Sequence, residues 1–218
     1  MVIQSNSGND VEISRFLTGP LTPLVIEPVV LEGQFVRLEP LSMAHQAGLC
    51  AIGLDEDLWR WIPSPVATAD DMHQYITLAL KLRDEGSALP FATIHKADNR
   101  VVGSTRYLNI DKTNRHVEIG ATFVGKPWQR SVVNTEAKYL MLRHAFDVMG
   151  CIRVEFKTDS LNIQSQNALA RLGATREGLF RNHIICKNGR IRHSVYFSIR
   201  DDTWPTIKTG LETKIARS

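Results

Sequence analysis

Two stretches of the sequence carry groups able to do chemistry. The first, Val124 to Glu136 (VGKPWQRSVVNTE), combines a strand end, a short loop and the start of a helix. The first amides of a helix have no carbonyl partners, and the positive end of its dipole favours anions, so this geometry suits a phosphate. Lys126 and Arg130 could each add a charge-assisted hydrogen bond of about 1.5–3 kcal/mol. An ordinary strand-to-helix connection would read the same way. The second stretch runs Asp159-Ser160-Leu161-Asn162-Ile163-Gln164-Ser165, and Ala168, Leu169 and Leu172 follow Ser165 at helical spacing. That spacing turns the Ser165 hydroxyl toward the apolar face. An inward hydroxyl needs a partner, which is either a ligand or a backbone carbonyl one turn back. Asn162 reads equally as a contact or as a helix cap.

The elements that must position these groups follow from periodicity and punctuation. Gly33 to Glu39 reads as a strand broken at Pro40, with Ser42 capping a helix to about Gly53. A second helix starts near Thr68, with Asp70 and Asp71 in its first turn and Met72, Ile76, Leu80 and Leu82 on its apolar face. Phe91–His95 and Val101–Leu108 form a predicted hairpin. The strand His116–Val124 places Val117, Ile119, Ala121 and Phe123 on one face, with His116, Glu118, Gly120 and Thr122 on the other. Gly120 inside this strand points to a bulge or to close approach of a ligand. The clearest helix covers about Asn134–Met149, on Val133, Ala137, Leu140, Met141, Ala145 and Val148. Ile152–Thr158 is a strand, Asn162–Leu172 a helix closed by Gly173, and Phe180–Cys186 with Arg192–Ile199 a hairpin. Central strands linked by helices, with hairpins at both ends, imply a mixed sheet in an α+β, three-layer α/β/α domain. Residues 31–205 form that single domain, after an extended arm over 1–30 containing Pro20, Pro23 and Pro28, and before a tail over 206–218.

Three linked runs resemble the GNAT acetyltransferases of the RimJ/RimL-like branch: Trp128 to Phe146, Arg153 to Ser165, and Arg171 to Gly178 (RLGATREG). The resemblance spans roughly Leu31 to Pro205 in element order. It implies the GNAT fold, a V-shaped, mostly antiparallel mixed sheet flanked by helices, with acetyl-CoA entering between the parallel strands His116–Val124 and Ile152–Thr158. It further implies that the pyrophosphate lies on amides of Gln129, Arg130, Ser131, Val132, Val133, Asn134 and Thr135. The pantetheine arm would pair with the backbone of Phe123 and Val124, with Asn162 touching that arm and Ser165 lying near the thioester sulfur. Two departures stand out. Val132 and Val133 replace glycines of the usual loop, and a β-branched residue at positive φ would be strained by more than about 1 kcal/mol; ordinary φ values are expected there. Leu169 stands where many members carry a tyrosine, which leaves Ser165 to hydrogen-bond the departing thiolate.

Acyl transfer to an amine requires a neutral amine, a polarised thioester and a stabilised thiolate. Glu118, projecting beside the cleft, is the candidate base, with His116 the alternative. A cross-strand ion pair is the structural reading of the same glutamate. A backbone N–H near Phe123 would polarise the thioester carbonyl. Trp59 and Trp61 lie between the first two helices, in a segment that borders the acceptor in this family; they are either acceptor contacts or packing. The acceptor class is a small amine or a protein N-terminus, whose α-amine loses its proton more readily than lysine. A domain that binds acyl-CoA without turnover is the rival reading.

Composition narrows the remaining classes. With 26 Lys plus Arg against 23 Asp plus Glu, the +3 charge is scattered and gives no nucleic-acid footprint. The odd set Cys50, Cys151 and Cys186 has no C-x-x-C pair, so free thiols in a cytoplasmic setting are expected. The seven histidines show no metal-binding spacing, and neither a signal peptide nor a membrane span is apparent. No metal, nucleic acid or membrane is therefore expected, and a homodimer stays possible.

Overall fold

The computed structural model describes residues 24–218, and the part of the expected arm over residues 1–23 lies outside it. The chain enters through two short antiparallel strands, β1 (Leu31–Glu32) and β2 (Val36–Pro40), where a single strand is expected from sequence. The turn between them is fixed from outside. Glu136 is buried, and its carboxylate accepts the amides of Gln34, Phe35 and Val36, each at 2.7 Å. Gly33 makes this approach possible, because a Cβ there would lie 2.4 Å from the Glu136 carboxyl carbon.

A 3-10 turn then leads into α1 (Gln46–Gly53), followed by the short α2 (Glu56–Trp59) and by α3 (Ala69–Asp84). Thr68 and Asp71 cap α3 reciprocally, so its start follows from local chemistry. The strands β3 (Leu89–His95), β4 (Arg100–Asp111) and β5 (His116–Val124) form a meander. Next come α4 (Val132–Arg143), β6 (Arg153–Asp159), α5 (Ile163–Leu172) and the hairpin of β7 (Thr175–Ile185) with β8 (Ile191–Arg200). The sheet order is β1-β2-β3-β4-β5-β6-β8-β7, antiparallel except where β5 meets β6. One apolar cluster joins α4, α5 and the C-terminal segment to one face of the sheet, and a second joins α1–α3 to the other. This is the three-layer α+β arrangement expected.

Three expectations change. The segment read as a tail from residue 206 belongs to a helix, α6 (Trp204–Ala216), which packs Trp204, Leu211 and Ile215 inward. Its apolar positions are too sparse to announce it. Val148, assigned to the apolar face of α4, is 71% exposed. A π turn at His144–Val148 breaks the 3.6-residue period after Arg143 and buries Phe146 instead. In β5, Ala121 has a φ of 46°, and the pairing with β4 slips between Arg106↔Gly120 and Ser104↔Phe123. The bulge lies beside Gly120, where a bulge was expected, and it exchanges the faces beyond it. Val117 and Ile119 pack on the α4 layer, whereas Phe123 joins the α1–α3 cluster and Thr122 meets Lys138 of α4.

Candidate active site

Parallel β5 and β6 pair at only three positions, His116↔Arg153, Val117↔Val154 and Glu118↔Glu155. Beyond Glu118, β5 continues to pair with β4 up to Val124, and β6 with β8 up to Asp159. The two strands therefore diverge and leave facing backbone edges without ladder partners. Each strand is followed by a helix, so the N-termini of α4 and α5 both stand at the wide end of the gap. Unsatisfied amides, two positive dipole ends and a free strand edge together form a cradle for an extended ligand with an anionic portion.

At the α4 end, Ser131 is the cap. Its hydroxyl accepts from the Val133 amide at 3.3 Å and donates to the Trp128 carbonyl at 2.6 Å. Gln129 Nε2 donates to the Val124 carbonyl at 3.0 Å, holding the loop against the strand end. Val132 and Val133 keep ordinary φ values, and Arg130 takes the left-handed conformation at 58°. The valines thus take the ordinary φ values expected of them, and the loop's left-handed residue lies just ahead of them. Lys126 is engaged elsewhere; it pairs with Asp55 at 2.7 Å and Asp57 at 2.9 Å, and the hydrogen bond it donates to Asp55 raises its pKa. A cavity of about 430 Å³ opens beside the loop, lined by Phe35, Arg130, Ser131, Val132, Thr135 and Lys214. Lys214 belongs to α6, so sequence reasoning that ended the domain at 205 missed it.

At the α5 end, Asn162 Oδ1 accepts from the Ser165 amide at 3.0 Å, which makes Asn162 the cap and leaves its amide nitrogen to donate elsewhere. Ser165 is half-buried, and among the described residues its hydroxyl bonds no carbonyl one turn back. Leu169 is buried below it.

On the sheet face toward α1–α3, Glu118 is 2% exposed. Its Oε2 accepts from Asn109 at 2.8 Å and pairs with Lys157 of β6 at 3.3 Å, spanning the strands just where they part. Gly120 makes room for it, since a Cβ there would sit 3.1 Å from Glu118 Oε1. His116 lies two residues back, at the closed end of the gap, with Nε2 3.6 Å from Asp111. Trp59 is 2% exposed; its indole donates to the Gly53 carbonyl at 2.6 Å and its ring packs on Phe123 and Tyr75. It supports the strand from within the core. Trp61 stands apart, between Arg60 and Arg190, and its carbonyl accepts from Arg192 at 3.3 Å. Arg190 in turn grips buried Asp159 at 2.6 Å, and the Lys187 amide donates to the Pro63 carbonyl. The loop after α2 thus bridges to the β7–β8 hairpin across this face.

Three buried cations, Arg106, Lys138 and Arg192, escaped the sequence reading because strand and helix alternation hides them. Lys138 of α4 donates to Thr122 Oγ1 at 2.8 Å, and burial lowers its pKa to about 7. Arg106 of β4 lies opposite Gly120 with its guanidinium 4.6 Å from the Tyr75 ring centroid. The Tyr75 hydroxyl donates to the carbonyl of the bulged Ala121 at 3.1 Å. Among the described residues no helix is long and apolar enough to cross a membrane, and no group of three His, Cys, Asp or Glu is placed to hold a metal.

A diverging pair of parallel strands, each delivering a helix N-terminus to the gap, is the arrangement of an acyltransferase, and the comparisons agree. Residues 36–175 match the model of the acetyltransferase (GNAT) domain, and the chain belongs to the GNAT acetyltransferase family. It is similar to a GCN5-related N-acetyltransferase from Brucella melitensis, at 34% identity over 89% of each chain with a TM-score of 0.83. It is also similar to a protein of T. thermophilus described among the acetyltransferases, at 33% identity over 88% of this chain and 99% of the other, with a TM-score of 0.80. The ribosomal-protein-S5-alanine acetyltransferase of Vibrio fischeri shares the fold at 18% identity, over 81% of this chain and 98% of its own, with a TM-score of 0.67. No curated protein matches the sequence.

Proposed function

We propose that the chain transfers the acetyl group of acetyl-CoA directly to a primary amine of a small molecule or a protein N-terminus. The divergence of β5 from β6 after Glu118 supports this most, because it leaves a free strand edge aimed at two helix N-termini. The amides of residues 129–135 and Arg130 would hold the pyrophosphate, with Lys214 adding charge at the same cavity. The backbone of Phe123 and Val124, with the Asn162 amide nitrogen, would align the pantetheine arm. Acetyl-CoA supplies the activated acyl carbon; the protein supplies position and charge. An N–H near Phe123 would stabilise the oxygen of the attacked carbonyl, and the Ser165 hydroxyl would donate to the leaving sulfur. Glu118 would take the amine's proton, directly or through water, with Lys157 and Asn109 fixing its carboxylate. His116, at the closed end, is the less favoured base.

The test follows CoA thiol release with acetyl-CoA and a screen of amines and N-terminal peptides. Initial rates varied in both substrates should give intersecting double-reciprocal lines, as direct attack in a ternary complex requires. Acetyl-CoA binding by calorimetry without thiol release for any amine would instead leave a binding domain, and parallel lines would exclude direct transfer.

A further inference from the structure

Arg106 is 4% exposed, and among the described residues neither its Nε nor its Nη2 has a hydrogen-bond partner. Guanidinium groups keep their proton in proteins, so this is a charge held out of water. Buried charges are ordinarily paired, because desolvation is costly without a counter-ion. No carboxylate among the described residues comes within 4 Å of it. Glu118, the acid on the same face, is engaged by Asn109 and Lys157. The Tyr75 ring covers one side of the guanidinium plane and supplies no acceptor to the idle nitrogens. Its pairing partner on β3 is Pro90, and on β5 it is Gly120, which puts no side chain between the guanidinium and the diverging edge.

We propose that Arg106 is the counter-charge for a carboxylate on the acceptor, so that the acceptor is a small amine carrying its own carboxylate, an amino acid or a close analogue. This rests on the amine-acetylation reading and narrows its substrate class. Arg106 occupies the acceptor's sheet face beside the proposed base, one strand in from the edge along which the acyl arm would lie. A planar fork of donors suits a carboxylate better than any neutral group. An isosteric carboxamide would leave the guanidinium buried and without charge compensation.

The experiment gives the full-length protein free α-amino acids, β-alanine and γ-aminobutyrate, each beside its carboxamide, together with N-terminal peptides. Thiol release is measured with acetyl-CoA, and melting temperature without it, at constant ionic strength. At least one acid should exceed its carboxamide by tenfold or more in kcat/KM and should alone raise the melting temperature. Arg106→Met should erase both preferences while the Kd for acetyl-CoA is unchanged, and Arg106→Lys should keep part of each. Equal use and equal binding of acids and carboxamides by the unaltered protein, or activity confined to peptides with neutral first residues, would overturn the assignment without need of any variant. A melting shift specific to acids with no thiol release would leave the anion site standing and remove the transferase reading. Thiol release with no preference would do the reverse.

Discussion

Ser165 and Glu118 are the two side chains on which the proposed chemistry turns, and they differ in how firmly they are held. Among the described residues the Ser165 hydroxyl makes no hydrogen bond, whereas Glu118 is fixed by Asn109 and Lys157. Ser165→Ala should therefore lower kcat by roughly 10–100-fold and leave the acetyl-CoA Kd within twofold, as measured by steady-state kinetics and calorimetry. Unchanged kcat would remove the serine from the mechanism. The thiols offer a check of the packing. Burial pushes Cys151 up to about 12, and Cys186 is also buried, whereas Cys50 is only partly covered. Under native conditions a disulfide reagent should modify Cys50 first, with Cys151 reacting only on unfolding. Rapid native labelling of Cys151, read by mass spectrometry, would contradict the interior described.

At the scale of elements, α4 does two jobs, one at each end of its first two turns. Its N-terminus faces the proposed phosphate site, and Glu136 secures the β1–β2 turn through three amides. Glu136→Ala would leave those amides unpaired and should cost about 3–5 kcal/mol in denaturant unfolding. Loss below about 1 kcal/mol would mean that water replaces the carboxylate freely. Arg130 combines a proposed charge contact with a left-handed φ that glycine adopts without strain. Arg130→Gly should leave stability level or slightly raised while weakening acetyl-CoA binding about tenfold. Most elements were readable because caps and breakers mark them: Thr68 with Asp71, Gly173 after α5, the hairpin turns. What escaped reading was long-range. Nothing local shows that Trp59 turns inward to Phe123, that Lys126 is taken by Asp55 and Asp57, or that Arg106 and Lys138 are buried, since each depends on which strand or helix lies opposite.

Across the whole molecule, Lys138 couples stability to pH. Its folded pKa, near 7, lies below the value of 10.5 expected when unfolded. Between those limits the unfolded chain binds the extra proton, so stability rises with pH from about 7 to about 10 and is lower at and below neutrality. A shift of this size corresponds to a few kcal/mol. Lys138→Met should flatten that rise and increase stability at pH 7, measured by denaturant titration at several pH values. A pH slope equal to that of the unaltered protein would contradict the burial. The bulge at Ala121 carries a different consequence for the chain. Because the bulge takes Ala121 out of the alternation, Thr122 faces α4 and Phe123 faces α3, so the division of labour between the two layers depends on that residue staying out of register. Point changes along the strand can be absorbed, and deleting residue 121 would remove the bulge with Thr122 still facing α4 and Phe123 still facing α3, whereas forcing Ala121 into regular pairing would drive the Phe123 ring into the α4 layer and leave Lys138 without its hydroxyl.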